Sequence, residues 1–433
     1  MSRMDFPDRD DIGPLIEPQG SPSFARVSYD PPTSTLSDPL STTRSELDRL
    51  AFDDLESGAT IAVGVGSRGI HRIADITAET VSYIEDRGFE PVVVPAMGSH
   101  GGATPEGQRE ILAALDLTEE YVGAPIDARM DVEKLDAVDV DGATTPVYFS
   151  SAALAADAVL VINRVKPHTN FTGSLESGLC KMLAVGLGKQ RGAQAFHSTA
   201  LDRGYVPTIE SLVEAIRDSV PLLGGLALVE NFHEEIGAIE AIDGPSLERR
   251  EPALLERARE EMATLPVDDI DLLVVDELGK EISGAGMDTN VIGRYRVLNA
   301  PDPETPSIDL IYARGLTEAT SGNGNGIGLA DITRRAAVEQ LDLKKTYANA
   351  LTSGSLSKAK LPAVVPDDEL ALRVALNALG GYDPETVRVA WIENTTDLAE
   401  FRVSEALLSD LGESVSVLER EQLAFDDGTA SFE

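Results

Sequence analysis

The sequence predicts an α/β protein: two α/β domains with mainly parallel sheets. Two observations carry that prediction. At 433 residues the chain exceeds what one ordinary core organises. From Thr60 onward, short apolar runs alternate with segments of helical periodicity, the pattern of parallel strands joined by crossover helices. Residues 1–44 read as a partly irregular N-terminal extension rich in Pro, Ser and Asp, with one strand-like piece, "FARVSYD". "SELDRLAFDDL" offers a Ser cap ahead of a helix. Then come strand "IAVGV", helix "IADITAETVSYIEDRG", strand "PVVVPAMG" and helix "TPEGQREILAALDL". Strand "AADAVLVINRV", helix "YVPTIESLVEAIRDSV", strand "GGLALVE" and helix "EPALLERAREEMATLP" follow. Strand "DIDLLVVDEL" opens a new region, so a boundary near 265–270 divides a domain of residues 45–267 from one of residues 268–433. The second domain resumes the alternation with "SIDLIYARGL", a helix at 328–340 and "VRVAWIEN". No internal repeat is visible.

Composition narrows the function. Hydrophobic residues make up 42%, enough for globular folding. No apolar run approaches the ~18 residues of a membrane span. The N-terminus "MSRMDFPDRDD" lacks a signal-like apolar stretch. The single cysteine excludes an internal disulfide and a cysteine-based metal cluster. A soluble, cytoplasmic protein is expected. Asp and Glu number 74 against 36 Lys and Arg, a net charge of −38 spread along the chain rather than gathered in a tail. Such self-repulsion strains a compact fold in dilute buffer, whereas molar salt shortens the screening length to about 3 Å. The expectation is a halophilic protein with a solvated acidic surface. Nucleic acid is excluded as a partner.

Three glycine motifs stand out. "GVGSRG", Gly64 to Gly69, fits the dinucleotide fingerprint after a strand. The next strand, however, ends in Pro95 and Ala96 rather than in an acid for the ribose. "VGLGKQRG" resembles a phosphate loop weakly: Leu183 stands where the first glycine belongs, and Gln190 replaces Ser or Thr. Its lysine, Lys189, is kept as a candidate cofactor contact. "SGNGNGIG", residues 321–328, is explained by loop geometry as well as by ligand binding.

The histidines say more. His100 in "AMGSHGG" and His168 in "INRVKPH" each lie just past a strand. The carboxyl ends of parallel strands share one rim, where open α/β sheets place their ligands. Arg68 holds the same topological position after "IAVGV", and its guanidinium fork suits a carboxylate or other anion. From His168 to Lys181 is thirteen residues, and from there to His197 sixteen. Helical i, i+4 pairing does not join such positions, so any meeting is tertiary. His71 and His233 lack this placement and read as structural. Cys180, among small apolar neighbours, reads as an inert buried thiol.

From about Ala62 to Arg335 the motifs "GSRGIHRI", "AMGSHGG", "VKPHTNF", a lysine followed sixteen residues later by His, and "GKEISGAGMDTNVIGR" resemble the nickel-dependent lactate racemase family. The resemblance implies a racemase or epimerase of a lactate-like 2-hydroxy acid, an isomerase working by hydride transfer to a nickel-pincer nucleotide. That cofactor is nickel(II) held by pyridinium-3,5-bisthiocarboxylic acid mononucleotide. It further implies an active site in the cleft between a catalytic, cofactor-binding N-terminal domain and the C-terminal domain. His100 and His168 take the places of the two acid/base histidines, Lys181 that of the cofactor-holding lysine, and His197 that of the nickel ligand. Arg68 falls where the family grips a substrate or cofactor anion. Lys280, Asp288 and Asn290 become candidate substrate contacts. Implied partners are the small-molecule substrate and the proteins that make and insert the cofactor.

Elementary chemistry agrees with those roles. Nickel(II) favours square-planar coordination, so a pincer filling three corners asks the protein for one imidazole and no metal-binding cluster. An α-hydrogen of a hydroxy acid is too weakly acidic for a His to remove as a proton. Its removal as hydride, while a base takes the hydroxyl proton, gives a planar oxo acid. Two stereoisomers present two hydroxyl positions, hence two bases. The stretch "TNFTGSLESGLC" between His168 and Lys181 departs from the founding racemase, which leaves covalent and non-covalent holding of the cofactor by Lys181 both open. The segment around Lys280 departs from it too. Other classes stand beside this one: a nicotinamide-dependent oxidoreductase, and an inactive homologue that binds a nucleotide or hydroxy acid.

Overall fold

The computed structural model describes residues 5–16, 20–67 and 69–433, apart from the side chains of 352 and 353. The chain divides into two compact units. One, here the histidine unit, comprises residues 33–168 and 172–262; the other, the C-terminal unit, comprises residues 1–32, 169–171 and 263–433. Both are α/β with mainly parallel sheets, as the alternation predicts.

The histidine unit is built on five strands: β1 (Thr60–Val65), β2 (Glu90–Pro95), β3 (Ala158–Arg164), β4 (Leu222–Glu230) and β5 (Ile236–Asp243). Their order across the sheet is β2-β1-β3-β4-β5. β1 pairs in parallel with both β2 and β3, β3 with β4, and only β5 runs antiparallel. Five helices are used below: α1 (Ile73–Asp86), α2 (Pro105–Ala113), α3 (Lys189–Arg203), α4 (Tyr205–Ser219) and α5 (Leu247–Glu261). Alternate residues Ile61, Val63 and Val65 of β1 and Leu160 and Ile162 of β3 point to one face, where they bury against Ile76, Val81 and Ile84 of α1. The chain leaves β1 toward β2 and returns to the other side of β1 as β3. The carboxyl ends of β1 and β3 therefore flank a topological switch point, where such sheets bind ligands.

In the C-terminal unit five parallel strands adjoin three antiparallel ones, in the order Ala363–Val365, Ile332–Arg334, Ser307–Ala313, Asp269–Val275, Val389–Ile392, Glu400–Ser404, Phe24–Tyr29 and Val415–Glu421. The "FARVSYD" piece is thus an interior strand, pairing with Glu400–Ser404 and Val415–Glu421. Phe24 and Trp391 pack edge to face with Phe432 over this sheet. Asp368, fully buried, accepts from Tyr312 Oη at 2.6 Å and from the Arg314 and Arg334 guanidiniums. Burial pushes its carboxyl up, but Arg314 and Tyr312 outweigh that and hold it below the usual range.

Several boundaries differ from the sequence reading. The first long helix is Pro39–Leu47, capped by the Asp38 side chain rather than by a serine: Asp at the cap with Pro at the first helical position starts it earlier. Of the expected helix at 328–340 only Arg335–Glu339 is α-helical, with a 3-10 turn at Ile327–Leu329. Ile332–Arg334 instead extends the sheet, with Thr333 Oγ1 donating to Ala313 O at 2.7 Å. The glycine loop 321–328 passes hard against Ala285, where a Cβ on Gly326 would meet Ala285 O at 1.8 Å. Close backbone approach accounts for that glycine.

Candidate active site

The segment Arg164–Ser198 is more helical than its small residues suggest. A turn at Leu179–Lys181 widens into a π-turn at Met182–Gly186, and α3 follows. Gly98 N, in the loop after β2, donates to Gly186 O at 3.0 Å, which ties the His100 loop to the turn that begins at Lys181. Lys189, fully buried, reinforces that tie. Its Nζ donates to Pro95 O at 2.6 Å and to Gln108 Oε1 at 3.1 Å, while Gln108 Nε2 donates to Gly98 O at 3.0 Å. Burial lowers the Lys189 amine to about 8. Its ammonium is engaged by the end of β2 rather than presented in a phosphate loop.

His100 is exposed, and its Nδ1 lies 2.5 Å from Ser67 Oγ, the residue two past the end of β1. Arg68, next in the chain, lies outside the described residues. His197 projects from α3 with its ring accessible to solvent. The surrounding protein, then the charges of Lys181 and His100, lower its imidazole to about 4. His100, Lys181 and His197 therefore share one electrostatic neighbourhood at the carboxyl edge of the sheet.

His168, half-buried, reaches the same neighbourhood through rings. Its imidazole centroid lies 6.4 Å from that of Tyr205, Tyr205 lies 6.1 Å from Phe196, and Phe196 lies 5.3 Å from His197. The loop that carries His168 is closed by a backbone bridge between Lys166 and Ser177 and braced by the buried carboxylate of Glu176. Sequence reasoning missed Ser67, Tyr205 and Glu176. Ser67 stood inside "GVGSRG", where attention to glycines hid it.

In the C-terminal unit the candidates are engaged locally. Lys280 Nζ donates to Gly284 O at 2.7 Å. Asp288 caps the turn Thr289–Ile292 and accepts from Asn290 N at 2.9 Å and Nδ2 at 3.0 Å; Asn290 Oδ1 accepts from Tyr295 Oη at 3.0 Å. Lys358, which no motif singles out, is buried in the same unit. Its Nζ donates to Asn170 Oδ1 at 2.7 Å and Thr169 O at 3.1 Å. Desolvation, then Lys280, lower its amine to about 8.

Among the described residues no three His, Cys, Asp or Glu side chains form a metal-binding group. The donor set suits a metal that arrives with most of its ligands: one accessible, neutral imidazole at His197 beside the amine of Lys181. Cys180 is buried, and desolvation followed by Glu251 raises its thiol far from thiolate formation, so it is no such donor. Among the described residues no helix is long and apolar enough to cross a membrane.

Fold and site together define a two-unit α/β protein with titratable side chains gathered at the carboxyl edge of a parallel sheet. No protein-family model matches the chain, and no curated protein matches it. Several solved structures are similar, among them two that follow. A protein from Thermotoga maritima shares 14% identity at a TM-score of 0.50, covering 82% of this chain and 96% of its own. The lactate racemase apoprotein from Thermoanaerobacterium thermosaccharolyticum shares 13% identity at a TM-score of 0.49, covering 84% of this chain and 99% of its own. At such identities the likeness is one of fold.

Proposed function

We propose that the protein is a racemase or epimerase of a lactate-like 2-hydroxy acid, acting with a nickel-pincer nucleotide in the cytoplasm of a salt-rich cell. The observation that carries the reading is the shared neighbourhood of His100, Lys181 and His197, tied by rings to His168. His197 would donate its neutral imidazole to nickel, and Lys181 would hold the nucleotide. When bound, the cofactor supplies an acceptor for the α-hydrogen and its electron pair, which a protein side chain does not offer.

The protein's own residues do the rest. His100, its ring fixed by Ser67, takes the hydroxyl proton of one stereoisomer at Nε2, and once the α-carbon has become planar His168 gives a proton to the oxygen of the inverted product. In the opposite direction the two histidines exchange these parts. Arg68 is assigned to the substrate carboxylate, and Lys280, Asp288 and Asn290 to polar contacts of the substrate. Lys189 acts from behind, holding the end of β2 from which the His100 loop departs.

The test is the composition of the native protein. Purified in molar salt from a cofactor-making host, it should carry one nickel and one pyridinium nucleotide per chain, and His197→Ala should lose the nickel. Full turnover by metal-free protein supplied with NAD would overturn the reading.

A further inference from the structure

We propose that Glu176, held by Arg259, is the positioning residue of His168; the role given to His168 rests on the proposed function. Glu176 is 1% exposed, and its carboxylate is spent on three donors. Oε2 accepts the backbone N–H of His168. Oε1 accepts the backbone N–H of Gly173 at 2.8 Å and the guanidinium of Arg259. Arg259 closes the frame by donating to Gly173 O at 2.9 Å. One carboxylate thus joins both ends of the 168–173 loop and fastens them to α5. Outside it, Lys166 N donates to Ser177 O at 2.9 Å and Ser177 N to Lys166 O at 3.2 Å, which closes the wider loop.

This arrangement exceeds what loop closure alone requires, because the bridge at Lys166 and Ser177 already supplies that. Burying a carboxylate is costly unless every oxygen is satisfied. Here the donor that satisfies Oε2 is the amide of the histidine itself. A buried anion that fixes the backbone beneath an imidazole sets where that ring can go, leaving His168 as the group that exchanges protons.

The experiment uses the full chain with Glu176→Gln, Arg259→Lys and His168→Ala. A glutamine keeps the shape but aims an NH2 at a donor, whichever way it turns. Amide exchange of His168 and Gly173 should rise about tenfold or more in Glu176→Gln while α3 and α4 stay unchanged, a local opening rather than a global one. With only five histidines the ring signals are separable. That of His168 should broaden or split while those of His100 and His197 hold, and Arg259→Lys, which keeps the cation but not the fork, should show part of both effects. An undisturbed His168 ring, or loosening that spreads equally through α3 and α4, would overturn the positioning role.

Kinetics on the loaded protein, with D- and L-lactate as probes, separate this idea from the reading beneath it. In single-turnover oxidation of bound lactate, Glu176→Gln should slow the reaction by about 10²-fold, the size of an ångström-scale misplacement. The loss should fall on the isomer whose oxidation His168→Ala also loses, with the apparent Kd of that isomer within about twofold, since binding is untouched. Equal loss on both isomers, beside a one-sided loss in His168→Ala, would sink the positioning role alone. A silent His168→Ala would sink the reading beneath it, with the exchange and ring data still deciding whether Glu176 fixes the loop.

Discussion

Ser67 Oγ and His100 Nδ1 lie 2.5 Å apart although 33 residues separate them in sequence. The contact follows from topology: β1 and β2 are parallel neighbours, so the first turn after each meets the other at their shared carboxyl edge. A hydroxyl on Nδ1 fixes the ring and leaves proton transfer to Nε2. Ser67→Ala should therefore cut turnover of the isomer served by His100 by about fivefold, the worth of one ordinary hydrogen bond. Ser67→Thr, which keeps the hydroxyl, should retain most of it. Single-turnover oxidation of each isomer to the bound 2-oxo acid checks this. Equal rates for wild type and the alanine variant would show the contact to be incidental.

Glu251 gives a prediction about pH. It is buried, accepts from Cys180 N at 3.0 Å, and lies where a Cβ on Gly178 would meet its carboxyl carbon at 2.4 Å. Desolvation raises its carboxyl from 4.5 to about 7, against the lowering by the Cys180 and Leu179 amides. The folded state thus holds this proton more tightly than the unfolded state. The contribution is fully present below the unfolded value of 4.5 and is lost as pH rises through about 7. Glu251→Gln stays neutral throughout. Relative to wild type, the variant should gain about 2 kcal/mol of stability between pH 5.5 and pH 8, from a shift of this size. Urea unfolding of both proteins at the two pH values measures it, and a difference independent of pH would refute the assignment.

Asp368 offers the opposite case. Its buried carboxylate neutralises Arg314 and Arg334 and accepts from Tyr312. Asp368→Asn leaves two guanidiniums facing a neutral group and should cost about 3–5 kcal/mol. Denaturant midpoints of the C-terminal unit's transition give the value, and a loss below about 1 kcal/mol would mean the arginines find water instead.

Much of the parallel framework was legible because buried strands read as continuous apolar runs: "IAVGV" and "AVLVINR" need no partner to be recognised. The helix at Lys189–Arg203 was not, because its buried face is Lys189, Gly192, Ala193, Phe196 and Ala200, helically spaced but mostly too small to register as apolar. The hairpin Val132–Val140 with Ala143–Ser150 hid behind exposed acids. Its turn signal, Asp141-Gly142 with both φ angles positive, was present in the sequence. The histidines were placed by strand ends alone. Their supports were not legible, because Ser67, Tyr205 and Glu176 owe their importance to which loop lies opposite, a tertiary fact without a local pattern.

Charge supplies a further prediction. At −38 the surface repels itself, and many visible ion pairs are exposed, such as Arg87 with Asp53 and Arg420 with Glu405. Exposed pairs of that kind stabilise little, so they do not offset the excess of acid. The thermal midpoint should climb steeply between ~0.1 M and molar potassium chloride as screening tightens to about 3 Å. A midpoint independent of salt would remove the salt-rich cytoplasm from the proposed function.

The two histidines make the sharpest prediction. His100 follows β2 and His168 follows β3, on either side of β1, so they approach a bound substrate from different loops. If each serves one stereoisomer, neither His100→Ala nor His168→Ala completes inversion. Each variant still oxidises the isomer whose base remains and then stalls with a 2-oxo acid in place. Acid quenching followed by derivatisation of the oxo acid should find it after D-lactate in one variant and after L-lactate in the other. Removing a general base costs about 10²–10⁴-fold, so the contrast stands well above background. Stalling on the same isomer in both variants would leave one histidine without a role. His168 would then be the one to set aside, because its link to His197 runs through Tyr205 and Phe196, whereas the charge of His100 acts on His197 directly.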